Sequence, residues 1–460
     1  MLGHFEGLLL SIVTISIVWI FLLVRKGPVA ALAAGMVLSF AFPVWVRIDL
    51  GGLPLGIRTA IACITLLGFA FHPKSRIISP LTLLDFCVAL MFAIHVAADG
   101  FATGFTLGLP FRAYGEWALP YVAGRYAIRT RNDLKTIAPW IAGVLTVVSL
   151  CACIEALTKV NLIEVIFGNR PTELANRNAQ RFGFKRAFGP TMHPIYFGML
   201  IAVFTPWLVC LWQSCGSTDA RKGAIVMATI TFLGAFATLS RTPVMTILVA
   251  AVLTLGLRYR PIRWPLGILL SLAVAAFAIF PNQFTDIVSR VTGGGDKLRI
   301  VEIDGKATVV SSSRSRLLIF SVYRDALVKA GPLGYGSNAV SKFPPDIPYL
   351  QGTANLDALM GIVDNGYALI TLRFGWLGCA CLIILFLISI ATGFSLHSDR
   401  PDQLLPGTVA CLLFVIAVAS LFMVHMVYDF GMPILWTIGI LSGLASARIE
   451  QRSTNRMLLR

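Results

Sequence analysis

Charged side chains are scarce in this chain: 13% of its 460 residues are Asp, Glu, Lys or Arg, against 57% apolar ones and a mean hydropathy of +0.80. That scarcity excludes a soluble enzyme, a fibrous chain and a disordered chain, because apolar runs long enough to cross ~30 Å of hydrocarbon recur from Leu8 to Ala447. Acidic residues are the scarcer sign, 22 against 38 Lys and Arg, for a net charge of +16. In a soluble domain that excess would suggest nucleic acid. In a membrane protein it must first be divided between the two sides, and no nucleic acid partner is expected.

The nine cysteines all lie in or beside apolar runs, so neither a disulfide framework nor a zinc cluster is expected. Cys151/Cys153 and Cys379/Cys381 are two apart, which on a helix points them to different faces and suits packing. The six histidines show no HExxH spacing, and no metal or other cofactor is predicted. The glycine-rich stretches Thr292–Lys297 and Gly334–Gly336 follow no buried strand and open no helix, so they read as turns rather than phosphate loops. Convincing internal repeats of the transporter kind are also missing. The first segment has neither a basic leader region nor a small-residue cleavage site and is kept as a span.

Hydropathy predicts an all-α polytopic membrane protein. Spans are expected at Leu8–Val24, Pro28–Val46, Leu53–Phe71, Leu81–Ala98, Tyr114–Ile128, Ile137–Leu157 and Ile195–Trp212. They continue at Ala224–Leu239, Pro243–Leu257, Pro265–Phe284, Leu372–Ile390, Thr408–Val427 and Met432–Ala447, about 13 in total. The fifth carries Glu116, Pro120 and Arg125, which suits a broken helix or one lying against protein rather than lipid. Four blocks follow: N-terminal spans over 1–135, a central bundle over 136–280, a long loop over 281–361, and C-terminal spans with a tail over 362–460.

Basic residues fall on alternate short connections: Arg25/Lys26, Lys74/Arg76, Arg129/Arg131/Lys135, Arg221/Lys222, Arg258/Arg260/Arg263, Arg400 and the tail after Ala447. The positive-inside rule makes these cytoplasmic, with the N-terminus outside and the C-terminus inside. Two long connections, 158–194 and 281–361, then lie outside although both are rich in Arg and Lys. Long loops translocate largely regardless of charge, so the excess is permitted rather than forced. An anionic ligand on the outer face would account for it.

Four constellations sit on that face. In Arg181–Gly198 the basic residues Arg181, Lys185 and Arg186 end just before a span, where a lipid-borne phosphate would lie; lipid-headgroup binding explains them equally well. His193, before Pro194, suits a satisfied loop histidine better than a base. In Leu239–Pro243, Arg241 occupies a short hairpin and offers a second guanidinium, or else snorkels to headgroups. Ser311–Asn338 reads as an amphipathic helix ending at Gly331/Pro332, with Leu317, Leu318, Phe320, Val322, Leu327 and Val328 on its apolar side. Arg316 at its start is the residue singled out, with Arg324 secondary. In Val363–Gly378, Asp364 and Asn365 precede a helical run, so Asp364 is either an N-cap or a proton acceptor for an attacking hydroxyl. Asp85 suits bundle packing better than chemistry.

The order of these motifs carries more than any one alone: G-x-x-x-H-P at Gly189–Pro194, S-R at Ser240–Arg241, R-L-x-x-F at Arg316–Phe320, P-L-G-x-G at Pro332–Gly336, then D-N-x-Y at Asp364–Tyr367 with glycines at 375 and 378. From about Thr136 to Ala447 this resembles the O-antigen ligase/polymerase family. The resemblance implies a glycosyltransferase-C-like bundle, usually of 12 spans, so that Leu8–Val24 would be an extra one. It implies glycan transfer from undecaprenyl diphosphate on the periplasmic face of the bacterial inner membrane, without metal or nucleotide sugar. Lipids of that membrane, a chain-length regulator and a flippase would be its partners. Arg186, Arg241 and Arg316 match the family's arginines, with Arg181 beside them, and they would stabilise the leaving diphosphate. Where ligases of the family have His-Asn, this chain has Asp364-Asn365, which is similar to Wzy-type exopolysaccharide polymerases. The leading expectation is therefore a polymerase joining lipid-linked repeat units, with Asp364 as base or acceptor-orienting group. A ligase acting on lipid A core, or a flippase or transporter, are the alternatives.

Overall fold

The computed structural model describes residues 4–43, 45–50, 53–56, 80–168, 180–181, 183–280, 283, 299–303, 306–310, 320, 323–337, 363, 365–397, 404–422 and 428–458. Helices dominate. In chain order they are α1 (His4–Lys26), α2 (Pro28–Ala41), α3 (Leu83–Thr103) and α4 (Gly108–Ala113), which passes through a π-helical turn (Tyr114–Ala118) into α5 (Leu119–Ala127). Then come α6 (Arg131–Thr158), α7 (Leu162–Phe167), α8 (Pro194–Ser214), α9 (Thr218–Ala237), α10 (Arg241–Arg258) and α11 (Arg260–Ile279). The last are α12 (Arg324–Lys329), α13 (Gly366–Leu396), α14 (Leu404–Ala419) and α15 (Tyr428–Leu458).

Seven of these are long and apolar enough to cross a membrane: α3, α6, α8, α9, α10, α13 and α15. The chain is a multi-pass membrane protein. The remaining expected spans coincide with other helices, including α2 of 14 residues and α14 of 16, except the third. There Leu53–Gly56 is a strand (β2) paired antiparallel with Arg47–Leu50 (β1), as a Gly-Gly pair in the sequence between two short apolar runs favours; the rest of that expected span lies outside the described residues. Two further ladders, Gln180–Arg181 with Phe184–Lys185 (β3, β4) and Arg299–Ile303 with Lys306–Val310 (β5, β6), add short hairpins to the two long loops.

Between apolar helices in lipid, close approach rather than hydrophobicity fixes the pairing. Gly439 and Gly443, four apart on α15, lie against the backbone carbonyls of Tyr121 and Arg125, and Gly124 of α5 lies against the carbonyl of Trp436. A Cβ at any of the three would overlap backbone. The bundle centre is aromatic: Trp207 of α8 stacks on Trp436 at 6.0 Å, and Phe40 of α2 meets Phe204 at 5.5 Å. The π turn and α5 are therefore held against protein: Trp117, Leu119 and Ala123 have no exposed surface. At the far end of α3, Asp85 accepts hydrogen bonds from the Thr82 backbone (2.6 Å) and the Tyr121 hydroxyl (2.7 Å) and pairs with Arg125 at 2.6 Å. Asp85 is bundle structure.

Candidate functional site

The short turn between α9 and α10 gathers the arginines. Leu239 there has φ 47, a left-handed conformation that turns the carbonyls of residues 238 and 239 away from the helix they end. Those carbonyls would otherwise be orphans of the helix terminus. Arg186 donates from Nε to the Thr238 carbonyl at 3.2 Å and from Nη2 to the Ser240 hydroxyl at 2.7 Å, while Arg181 donates to the Leu239 carbonyl at 2.9 Å. Arg241 begins α10 on the same turn and is exposed. Residues 55 and 60 positions apart in sequence thus reach one place.

Arg186 is 4% exposed. Burial, together with the charge of Arg181 beside it, lowers its pKa to about 10, so it stays protonated at neutral pH. Neither Arg181 nor Arg186 is paired with a carboxylate among the described residues. Two cations side by side, one of them buried, are costly until an anion joins them. The carbonyl contacts reduce that cost without neutralising the charge.

The loop that delivers Arg186 is held from behind by a residue the sequence reading did not select. Glu155 of α6, 1% exposed, accepts the backbone N–H groups of Phe188 (3.1 Å) and Gly189 (3.0 Å), and Lys185 Nζ lies 3.7 Å from it. A carboxylate inside a predicted span was the signal that could have found it. Thr191 donates its hydroxyl to the carbonyl of Phe188 at 2.9 Å. His193 caps α8, its Nδ1 accepting the N–H of Ile195 at 3.2 Å, and its ring meets that of Tyr196 at 5.7 Å. That bond occupies its Nδ1.

Asn365, fully buried, caps α13: its side-chain oxygen accepts the Ala368 N–H at 2.9 Å and its amide donates to the Leu421 carbonyl at 2.7 Å. The N-cap reading of Asp364 is corrected accordingly, because Asn365 already supplies that acceptor with extended backbone at the right position. Asp364 itself, and Arg316, lie outside the described residues. Helix α12 buries Tyr323, Ala326 and Ala330, whereas Phe320 and Val328 of the expected apolar side are exposed. The small residues face inward there because the segment packs tightly on α13, with the Trp376 indole donating to the Leu327 carbonyl at 2.9 Å. Arg324 is exposed at the start of α12, and no contact among the described residues joins it to the Arg186 turn.

The P-L-G-x-G segment then straps across α13 where that helix breaks at Gly375, φ 68 and ψ −168. The break exposes two carbonyls and two N–H groups, and the strap satisfies all four. Tyr335 and Gly336 donate to the carbonyls of Leu372 and Arg373 at 2.8 and 2.9 Å; Trp376 and Leu377 donate to those of Gly331 and Pro332 at 3.0 and 3.2 Å.

Residues 226–383 match the family model described as O-antigen ligase. Over that stretch, about a third of the chain, the sequence is similar to O-antigen ligases. The match runs from within α9 through the Arg241 turn, the long loop and the strap into α13, so it holds Arg241, Arg316, Asp364 and Asn365 and begins after Arg181, Arg186 and His193. It supports a function of the polysaccharide ligase or polymerase type in general. Comparison with curated proteins gives no match. No group of three or more metal-binding side chains occurs among the described residues.

Proposed function

We propose that this chain polymerises lipid-linked oligosaccharide repeat units into extracellular polysaccharide at the periplasmic face of a bacterial inner membrane. The observation that carries this reading is the buried Arg186 beside Arg181, unpaired with any carboxylate among the described residues, bonded to the turn that ends at Arg241. A diphosphate carried on a polyprenyl lipid supplies the missing charge at the depth where these residues sit. An acceptor hydroxyl attacks C1 of the donor sugar, the C1–O bond to the diphosphate breaks, and the diphosphate leaves with the electron pair. Guanidinium groups bind that developing charge bidentately, so the step needs no metal. Direct displacement from an α-linked donor inverts the anomeric centre. Asp364 takes the hydroxyl proton, a role its neighbour's capping leaves open.

The polymerase reading over the ligase rests on Asp364-Asn365 in the place of His-Asn. The orientation follows from charge: the Arg186 turn, the strap and the start of α13 face the periplasm, the N-terminus with them, and the C-terminus is cytoplasmic. The bundle is proposed to be of the glycosyltransferase-C type with 13 spans. A chain-length regulator and a flippase are its proposed partners.

The test is the set of lipid-linked glycans that accumulate when the chain is removed from its host. Single repeat units stalled on the carrier are expected. Full-length polymer left on the carrier would make it a ligase, and units trapped on the cytoplasmic side would make it a transporter.

A further inference from the structure

A second set of ionisable groups gathers where α3, the π turn and α13 meet, at the same end of the bundle as the Arg186 turn. Its floor is a satisfied chain. The Trp117 indole, which can only donate, gives its N–H to His95 Nδ1 at 3.1 Å, so the His95 proton sits on Nε2, facing Asp99 at 3.2 Å. The Asp99 carboxylate also accepts the backbone N–H and the hydroxyl of Ser337, at 2.5 and 2.7 Å. His95 and Asp99 are 1% and 3% exposed.

Two charged groups of opposite sign lie above that floor. Glu116 lies 3.7 Å from His95 Nδ1, which already receives the indole proton, and its side chain keeps 15% of its surface open. Arg373 adjoins Phe374, whose ring lies 4.7 Å from that of His95, and its buried Nε has no hydrogen-bond partner among the described residues. The charges of Glu116, Asp99 and Arg112 all act on this guanidinium, and Tyr196 lies within the same reach. Arg112, Glu116, Tyr196 and Arg373 are each half-buried, so this face is open to a ligand. Both elements that present it are broken: Glu116 rides on a π-helical turn, a feature frequent at functional sites, and Arg373 sits two residues before the break at Gly375.

The accessible edge of a guanidinium that only donates, near a carboxylate that only accepts, selects a hydroxyl, which does both. A simple anion would be repelled by Glu116, a simple cation by Arg373 and Arg112, and an acyl chain would desolvate both charged groups without bonding either. Adjacent hydroxyls on a pyranose ring meet both groups at once. Tyr196 meets His193, the cap that follows the Arg186 loop, edge to face, and so links this face to the arginine turn. We propose that Glu116 and Arg373 bind a sugar ring of the glycan, next to the diphosphate held at the Arg186 turn. This subsite rests on the glycosyl-transfer reading above.

The test uses the full chain in lipid nanodiscs with two probes: undecaprenyl diphosphate alone, and the lipid-linked glycan extracted from host cells lacking this chain. Arg373→Gln and Glu116→Gln are each expected to weaken binding of the glycan-bearing lipid about tenfold, the worth of one charged hydrogen bond, while the bare lipid binds within about twofold of wild type. Arg186→Gln should weaken both probes. Thermal unfolding of each variant in the same nanodiscs, with Arg373→Lys as a charge-keeping second variant, separates lost contacts from lost fold. Wild-type binding of both probes by the two glutamine variants, or an equal loss of both at unchanged stability, would overturn the subsite while leaving the diphosphate reading in place. A wild type that binds neither probe would bring down the glycosyl-transfer reading and the subsite with it.

Discussion

Gly334 and Gly375, 41 positions apart in sequence, cross with their backbones in contact, both in left-handed conformations at φ 73 and φ 68. A Cβ on Gly334 would lie 2.5 Å from the Gly375 nitrogen, and one on Gly375 would overlap the Pro332 carbonyl. Both glycines belong to motifs of the long loop and of α13, so the two motifs are the two halves of one crossing. Gly375→Ala adds a left-handed penalty of about 1 kcal/mol to a backbone overlap and should destabilise by about 3 kcal/mol. Gly183→Ala has a comparable φ of 80 with nothing within 4 Å, and should cost only the conformational part, about 1 kcal/mol. Melting temperatures in detergent for the pair check this: equal shifts would mean that the crossing does not hold the strap.

Alanine at Arg186, Arg241 or Arg316 should abolish polymer while membrane abundance stays near wild type. Ser240→Ala is the subtler probe, since it removes only the hydroxyl that orients Arg186 Nη2. A hydrogen bond to a charged group is worth about 1.5–3 kcal/mol, so polymer output should drop roughly tenfold or more. Full activity in all three arginine variants would end the diphosphate argument.

Capping and chemistry separate at neighbouring positions. Asn365→Ala removes the α13 cap and should cost about 1 kcal/mol of stability. Asp364→Asn should leave stability within about 0.5 kcal/mol and remove activity, because an amide cannot take up the hydroxyl proton. Retained activity in Asp364→Asn would return the base to another residue.

The depressed pKa of Arg186 gives a signed pH dependence. With the guanidinium titrating at about 10, inorganic diphosphate should bind evenly between pH 7 and 9 and fall away as pH rises through 10. For stability the sign is opposite. A cation whose folded pKa lies below its ordinary value carries a constant penalty at lower pH, which is relieved as pH rises above about 10 because the unfolded chain still binds the proton there. The wild type minus Arg186→Gln difference, in titration calorimetry and in melting, isolates both trends; no difference above pH 10 would place Arg186 in a wetter setting.

Composition, hydropathy and the placing of arginines were enough to determine a multi-pass helical membrane protein, the positions of most of its helices, and the basic loops on which Arg181, Arg186 and Arg241 lie. These are local properties: a run of apolar residues reports its own length, and a loop its own charge. Only the tertiary structure decided that Arg186 meets Ser240, that Asn365 rather than Asp364 caps α13, and that Asp99 meets Ser337 across 238 positions. Periodicity names the face a residue occupies and not the partner that covers it. Within lipid, where every face of a span is apolar, partners are chosen by glycines that allow contact and by polar groups that need each other, such as Glu155 and the Phe188 N–H. A sequence cannot show that choice, because both members look equally solitary until the chain has folded.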